Sequence, residues 1–111
     1  MVELEKKPVR VSKQFDLDIV NIFEYGEETF GYNATKIFIG EIYNFVWSLD
    51  GMYLIHPECR HIPSKSRMYR NIILGSYLII YRITPTQVEV LKAISSRMSP
   101  TKIRTARSVK L

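Results

Sequence analysis

The stretch Gly75-Ser76-Tyr77-Leu78-Ile79-Ile80-Tyr81-Arg82-Ile83 decides the fold. A run of β-branched and aromatic residues behind a Gly-Ser pair reads as a tight turn followed by a strand. Side chains alternate along a strand, so Leu78, Ile80 and Arg82 share one face while Tyr77, Ile79, Tyr81 and Ile83 share the other. Both faces are apolar, so both must meet something, and one of them ends in a positive charge. Residues 69–74, before the turn, and 87–94, after the Pro85-Thr86 break, have the same texture. With 77–84 between them they predict a meander of three antiparallel strands.

Working back from the meander, a loop carrying Pro57, Pro63 and the polar run 64–66 separates it from a helical half. Residues 8–11 read as a short strand, and Ser12 stands where its hydroxyl can cap a helix. From Gln14 onward Phe15, Ile19, Ile22, Phe23 and Phe30 fall near helical spacing, with Asp16, Asp18, Glu24, Glu27 and Glu28 on the other faces; Gly31 supplies a stop. Asn33 can cap a second helix whose apolar stripe comprises Ala34, Ile37, Phe38, Ile42, Phe45, Val46 and Leu49. Ile39, Tyr43 and Trp47 add a further stripe, to be covered either by the first helix or by a partner. Gly40 in that helix marks a site where another backbone packs closely. Strand, two helices and three strands make an α+β domain in which a helical hairpin covers one face of an antiparallel sheet. The expected domain spans 1–111, with a core at about 8–97 and, at 98–111, a basic tail or a short terminal helix.

The chain has 111 residues and a formal net charge of +5, unevenly placed. Acids gather before His56, whereas beyond it Glu58 and Glu89 face a long series of lysines and arginines. That asymmetry implies an anionic partner for the second half, either nucleic acid or an acidic protein segment. No apolar run approaches the ~20 residues that span a bilayer, and Glu3, Glu5, Lys6 and Lys7 break any signal-peptide pattern. Cys59 is the single cysteine, which excludes an intrachain disulfide. A cytoplasmic location is expected.

The order of these pieces carries a resemblance. Asp16-Leu17-Asp18-Ile19 with Tyr25 and Phe30-Gly31, Ala34 with the long second helix, Pro57, Tyr69-Arg70, the GSYLIIYRI segment and Val88-Glu89-Val90-Leu91 together resemble the ParE/RelE toxin superfamily, from about Val11 to Arg97. The resemblance implies a toxin held in a hetero-oligomer with a cognate antitoxin, ParD-like or of another family, whose tail wraps the toxin; Ile39, Tyr43 and Trp47 would then form the antitoxin groove. RelE-like members cleave ribosome-bound mRNA, whereas ParE-like members poison DNA gyrase. RNA cleavage needs a proton acceptor, a proton donor and cations around the phosphorane. Here Leu74 stands where the RelE pattern has an arginine, and Ser95, in the stretch after the last strand, cannot serve as an imidazole base. Arg70, Arg82 and Arg97 remain as target-binding cations, with Arg97 and the basic tail foremost. A nuclease would have to use those three for phosphate charge, with a tyrosine, Tyr81 or Tyr69, or a lysine handling protons. The ParE-like reading, a gyrase inhibitor without catalytic residues, fits better; Arg70 and Arg82 are alternatively partners of carboxylates. His56, Glu58, Cys59 and His61 crowd into one loop but lack the paired spacing of a zinc site, so neither metal nor cofactor is expected.

Overall fold

A computed structural model of the chain describes residues 5–111; Glu3 of the polar N-terminal stretch lies outside them. Strand β1 (Val9–Val11) leads into helices α1 (Lys13–Phe30) and α2 (Tyr32–Met52). Strands β2 (Tyr69–Leu74), β3 (Tyr77–Ile83) and β4 (Val88–Ser95) follow, and a short helix α3 (Pro100–Arg104) with a 3₁₀ turn (Thr105–Ser108) closes the chain. The sheet order is β1-β4-β3-β2, with β2, β3 and β4 antiparallel and β1 added parallel to β4. The meander is therefore as the alternating pattern predicts. Gly75, at φ 56°, begins the two-residue turn, as a type II′ hairpin requires.

Ser12 caps α1 as expected, its Oγ accepting from the Phe15 N–H at 2.9 Å. It also rivets the helix to the sheet. Opposite β3 the register of β4 slips by one residue, so that Ile80 faces Lys92, Tyr81 faces Val90, and Leu91 is left over as a bulge. Into that bulge Ser12 donates twice, its N–H to the Val90 carbonyl at 2.9 Å and its hydroxyl to the Leu91 carbonyl at 2.7 Å. Six residues on, Asp18 Oδ2 accepts the Ala93 N–H at 3.0 Å. Asp18 was expected on a solvated face; it is instead buried, because a carboxylate can satisfy a strand amide left free beside a bulge.

The helices pack on one sheet face around Phe15, Ile19, Ile42, Val46, Leu49, Ile79 and Tyr81. The two helices are in close contact at Gly26, where a Cβ would fall 2.7 Å from Thr35 Oγ1. A Cβ at Gly40 would meet nothing within 4 Å, so the close approach expected there is found at the other glycine. The second helix begins at Tyr32 with Gly31 as its cap and no side-chain cap bond, so Asn33 lies inside the first turn rather than capping it. It also runs through Asp50 and Gly51. Phe30, Ile37 and Phe45, read as core, face outward, because the buried stripe is narrower than the apolar pattern.

The opposite sheet face is covered by the chain itself. Cys59 and Ile62 from the loop, Tyr69, Ile80, Leu91 and Ile94 from the sheet, and Ile103 and Ala106 from the C-terminal segment form a second buried cluster. Both faces of β3 are thereby enclosed, which accounts for the continuous apolar run that opened the reading.

Candidate functional site

Where the hairpin turns back over the sheet, a cleft of about 700 Å³ opens between the helix tips and one end of the strands. Ile22, Tyr25, Phe30, Thr35 and Phe38 line its helical side, and Gly75, Ser76, Tyr77, Ser95 and Arg97 its sheet side. Arg97 is exposed. The backbone N–H of Arg97 bonds the Ser95 hydroxyl, while its side chain carries the single charge among the lining residues. Burial raises the Tyr77 phenol, with a further push from Tyr25, so that phenol is protonated at neutral pH. Among the described residues the lining contains no imidazole or carboxylate. Such a cleft can hold an apolar segment with an anionic group at Arg97, but it lacks a group able to accept a proton at neutral pH.

The other residues read from the sequence are not brought together with Arg97. Arg82 is folded into the back of the sheet, donating to Glu89 Oε1 through Nε at 2.8 Å and Nη2 at 2.6 Å. Arg82 and Glu89 are cross-strand partners, and Arg82 also stands over the Tyr69 ring. Arg70 donates through Nη1 to the carbonyls of His56 at 2.8 Å and Leu54 at 3.2 Å, tying the long loop to β2. Tyr81 is wholly buried, and its hydroxyl donates to the Tyr53 carbonyl at 2.7 Å. Burial drives its pKa far upward despite the opposing Arg70 charge, so it is no proton carrier.

Tyr43 is half-buried, its ring edge-on to Phe15 at 6.0 Å and stacked with Trp47 at 6.4 Å. Ile39 packs against the core. The first helix thus covers the inner part of this stripe, and Trp47, 51% exposed, is the part that remains open. Leu17 and Val20 of α1 and Ile37 of α2 are exposed too. Those residues, with Tyr25 and Phe30 at the cleft, were missed as surface features. For Leu17, Val20 and Tyr25 the signal is present in the spacing, since each falls off the stripe defined by Phe15, Ile19, Ile22 and Gly26. Phe30 lies on that stripe and Ile37 on the stripe read for the second helix, so their exposure has no such signal.

The His56–His61 loop divides its polar groups between two places. The His56 ring lies against Phe45 and Tyr81, where burial and the Arg70 charge lower its pKa and keep it neutral. Cys59 belongs to the buried cluster on the other sheet face, its thiol pushed up by that burial. Among the described residues no three of His, Cys, Asp and Glu converge as a metal site would need.

The fold is similar to that of a solved chain described as the chromosomal ParDE TA system from P. aeruginosa. The two superpose with a TM-score of 0.67 at 13% identity, covering 82% of this chain and 97% of that one. None of the curated proteins matches the chain. The family model described as ParE toxin of type II toxin-antitoxin system, parDE, matches residues 9–100. The chain belongs to that family: it is a ParE toxin of a type II toxin–antitoxin system.

Proposed function

We propose that this toxin arrests growth in the cytoplasm by binding and poisoning DNA gyrase, with Arg97 as a contact to the target, and that a cognate antitoxin neutralises it by docking on the outer surface of the helical hairpin. The observation that carries this reading is how the three candidate arginines are used. Arg70 and Arg82 are spent on internal hydrogen bonds, and the cleft beside Arg97 offers no general base. An exposed cation beside an apolar cleft supports recognition of a protein target, whereas phosphodiester cleavage needs a proton acceptor and converging cations. Exposed Trp47, Leu17, Val20 and Ile37 supply the apolar surface on which an amphipathic antitoxin segment would lie.

The test is controlled expression in a bacterial host, with gyrase supercoiling and cleavage assays beside transcript mapping. Growth arrest with trapped gyrase–DNA cleavage and intact transcripts is expected, and Arg97→Ala at equal expression should relieve it. Codon-positioned transcript cuts with unaffected gyrase would replace this reading with ribosome-dependent mRNA cleavage. For the antitoxin, Trp47→Ala is expected to weaken binding at least tenfold, about 1.4 kcal/mol, with no change in Tm; unchanged affinity in the folded variant would refute the surface.

A further inference from the structure

Two segments remote in sequence meet behind the sheet. The loop of residues 59–68 and the C-terminal segment of residues 100–109 share the second buried cluster, through Cys59 and Ile62 on one side and Ile103 and Ala106 on the other. What they bury is apolar, and what they leave outside is basic. Arg60, Lys65 and Arg67 are exposed on the loop, and Lys102, Arg104 and Arg107 on the C-terminal segment. None of the six makes an ion pair among the described residues. Glu89 on this side is already neutralised by Arg82 at 2.6 Å.

The chemistry of this surface differs from that of the hairpin. Every exposed large aromatic side chain among the described residues, Tyr25, Phe30, Tyr32, Phe45 and Trp47, lies on α1 or α2. The basic layer has none. A protein interface requires an apolar core within its polar rim, and single-stranded nucleic acid is held largely by base stacking on aromatic rings. A duplex backbone needs neither, because phosphates are held by cations that displace condensed counterions.

We infer that the back of the sheet is a sequence-independent binding surface for duplex DNA, built jointly by the 59–68 loop and the C-terminal segment. The inference does not depend on gyrase being the target, since binding is to DNA alone. With about four phosphates neutralised, log K falls with log salt at a slope of about −3.6, so affinity drops roughly a hundredfold between 50 and 200 mM salt.

The measurement is fluorescence anisotropy of the full chain with labelled duplexes of two unrelated sequences across that salt range. Equal affinity for both, with the stated slope, is expected. Arg104→Glu/Arg107→Glu and Arg60→Glu/Lys65→Glu should each weaken binding at least tenfold and flatten the slope by about 2. Lys13→Glu/Lys36→Glu, an equal change in net charge on the helical side, should change it less than threefold. Circular dichroism confirms that each variant is folded. Failure of the duplex to bind at 50 mM salt overturns the inference, as does an equal loss in the helical-side control. It is likewise overturned if only one of the two back segments matters, if single strands bind more tightly than duplex, or if polyglutamate competes as well as DNA at equal charge.

Discussion

The same substitution, glycine to alanine, is expected to have opposite effects at two places in the hairpin. At Gly40 a Cβ would meet open space, so Gly40→Ala reports backbone freedom alone. That gain is about 1 kcal/mol in a helix interior, or about 4–6 °C in Tm for a chain of this size. At Gly26 the same gain is opposed by contact. The new methyl would lie 2.7 Å from Thr35 Oγ1 and 2.8 Å from Thr35 Cγ2, both closer than real side-chain contacts come. Thr35 cannot turn away freely, because it is buried and donates its hydroxyl to the Gly31 carbonyl at 2.8 Å. Overpacking costs typically 1–3 kcal/mol, and losing that hydrogen bond about 1 more. Gly26→Ala is therefore expected to destabilise by about 1–3 kcal/mol net. Thr35→Ala removes the two clashing atoms and leaves Thr35 Cβ, at 3.3 Å, as the nearest neighbour. On that background the cost of Gly26→Ala should fall by at least 1 kcal/mol, a coupling that a double-mutant cycle of urea unfolding curves would resolve. A Gly26→Ala variant as stable as Gly40→Ala would mean that the helices do not close on Gly26.

Other expectations concern groups that bond across the sheet. Asp18→Ala strands the buried Ala93 N–H and should cost about 2–3 kcal/mol by urea unfolding, whereas Asp18→Asn keeps an acceptor and should cost about half as much. Burial pushes the Glu89 pKa up, but hydrogen bonds from Gln87 and Arg82 and the charges of Arg82 and Arg10 outweigh it and hold the carboxyl below its ordinary value. Its stabilisation is thus full above the unfolded carboxylate pKa of about 4.3 and is lost as pH falls through the folded value. Arg82→Met should destabilise by about 2–3 kcal/mol at pH 7 and converge with wild type in acid; a pH-independent difference would contradict the ion pair. Tyr81→Phe loses the buried bond to the Tyr53 carbonyl and should cost about 1 kcal/mol at pH 7. Because the native phenol stays protonated while the unfolded one ionises near pH ~10, wild type should lose stability above that pH and Tyr81→Phe should lose less.

The strands were legible because a period of two, bounded by Gly75-Ser76 and Pro85-Thr86, has few other readings. The helices were legible as elements, but not in which apolar residues they bury. Phe30, Ile37 and Phe45 are as apolar as Phe15, and only the position of α1 against α2 distinguishes them. Asp18 was illegible for a related reason, since an acid bonded to a strand amide has the same letter as a solvated one. Arg82 and Glu89 become partners only once the 84–87 turn sets the register. The C-terminal segment hid its order by its shortness. Ile103, Ala106 and Val109 recur every third residue among polar and charged neighbours, spread over a five-residue helix, a 3₁₀ turn and the extended residue after it, too short a run for either a helical or a strand period to register.

That repeat changes how a truncation must be interpreted. Were the segment only a basic tail, dispensable for folding, then deleting residues 99–111 and finding no toxicity would assign target contact to it. Yet Ile103 and Ala106 are buried against Ile80, Leu91 and Ile94, and Arg82 Nη2 reaches the Val109 carbonyl at 3.4 Å. Removing the segment withdraws the roughly 1.5–3 kcal/mol of burying Ile103 and uncovers the apolar sheet face beneath it. Several kcal/mol is a large part of the 5–15 kcal/mol typical of a domain. The truncated chain is therefore expected to show a Tm lower by at least 10 °C and to aggregate on purification. Loss of toxicity in it would report unfolding. Arg97→Ala and Arg104→Glu/Arg107→Glu, which change only exposed side chains, separate target contact and DNA contact from stability. A truncated chain with an unchanged Tm would refute the second buried cluster and leave the segment free to act as a tail.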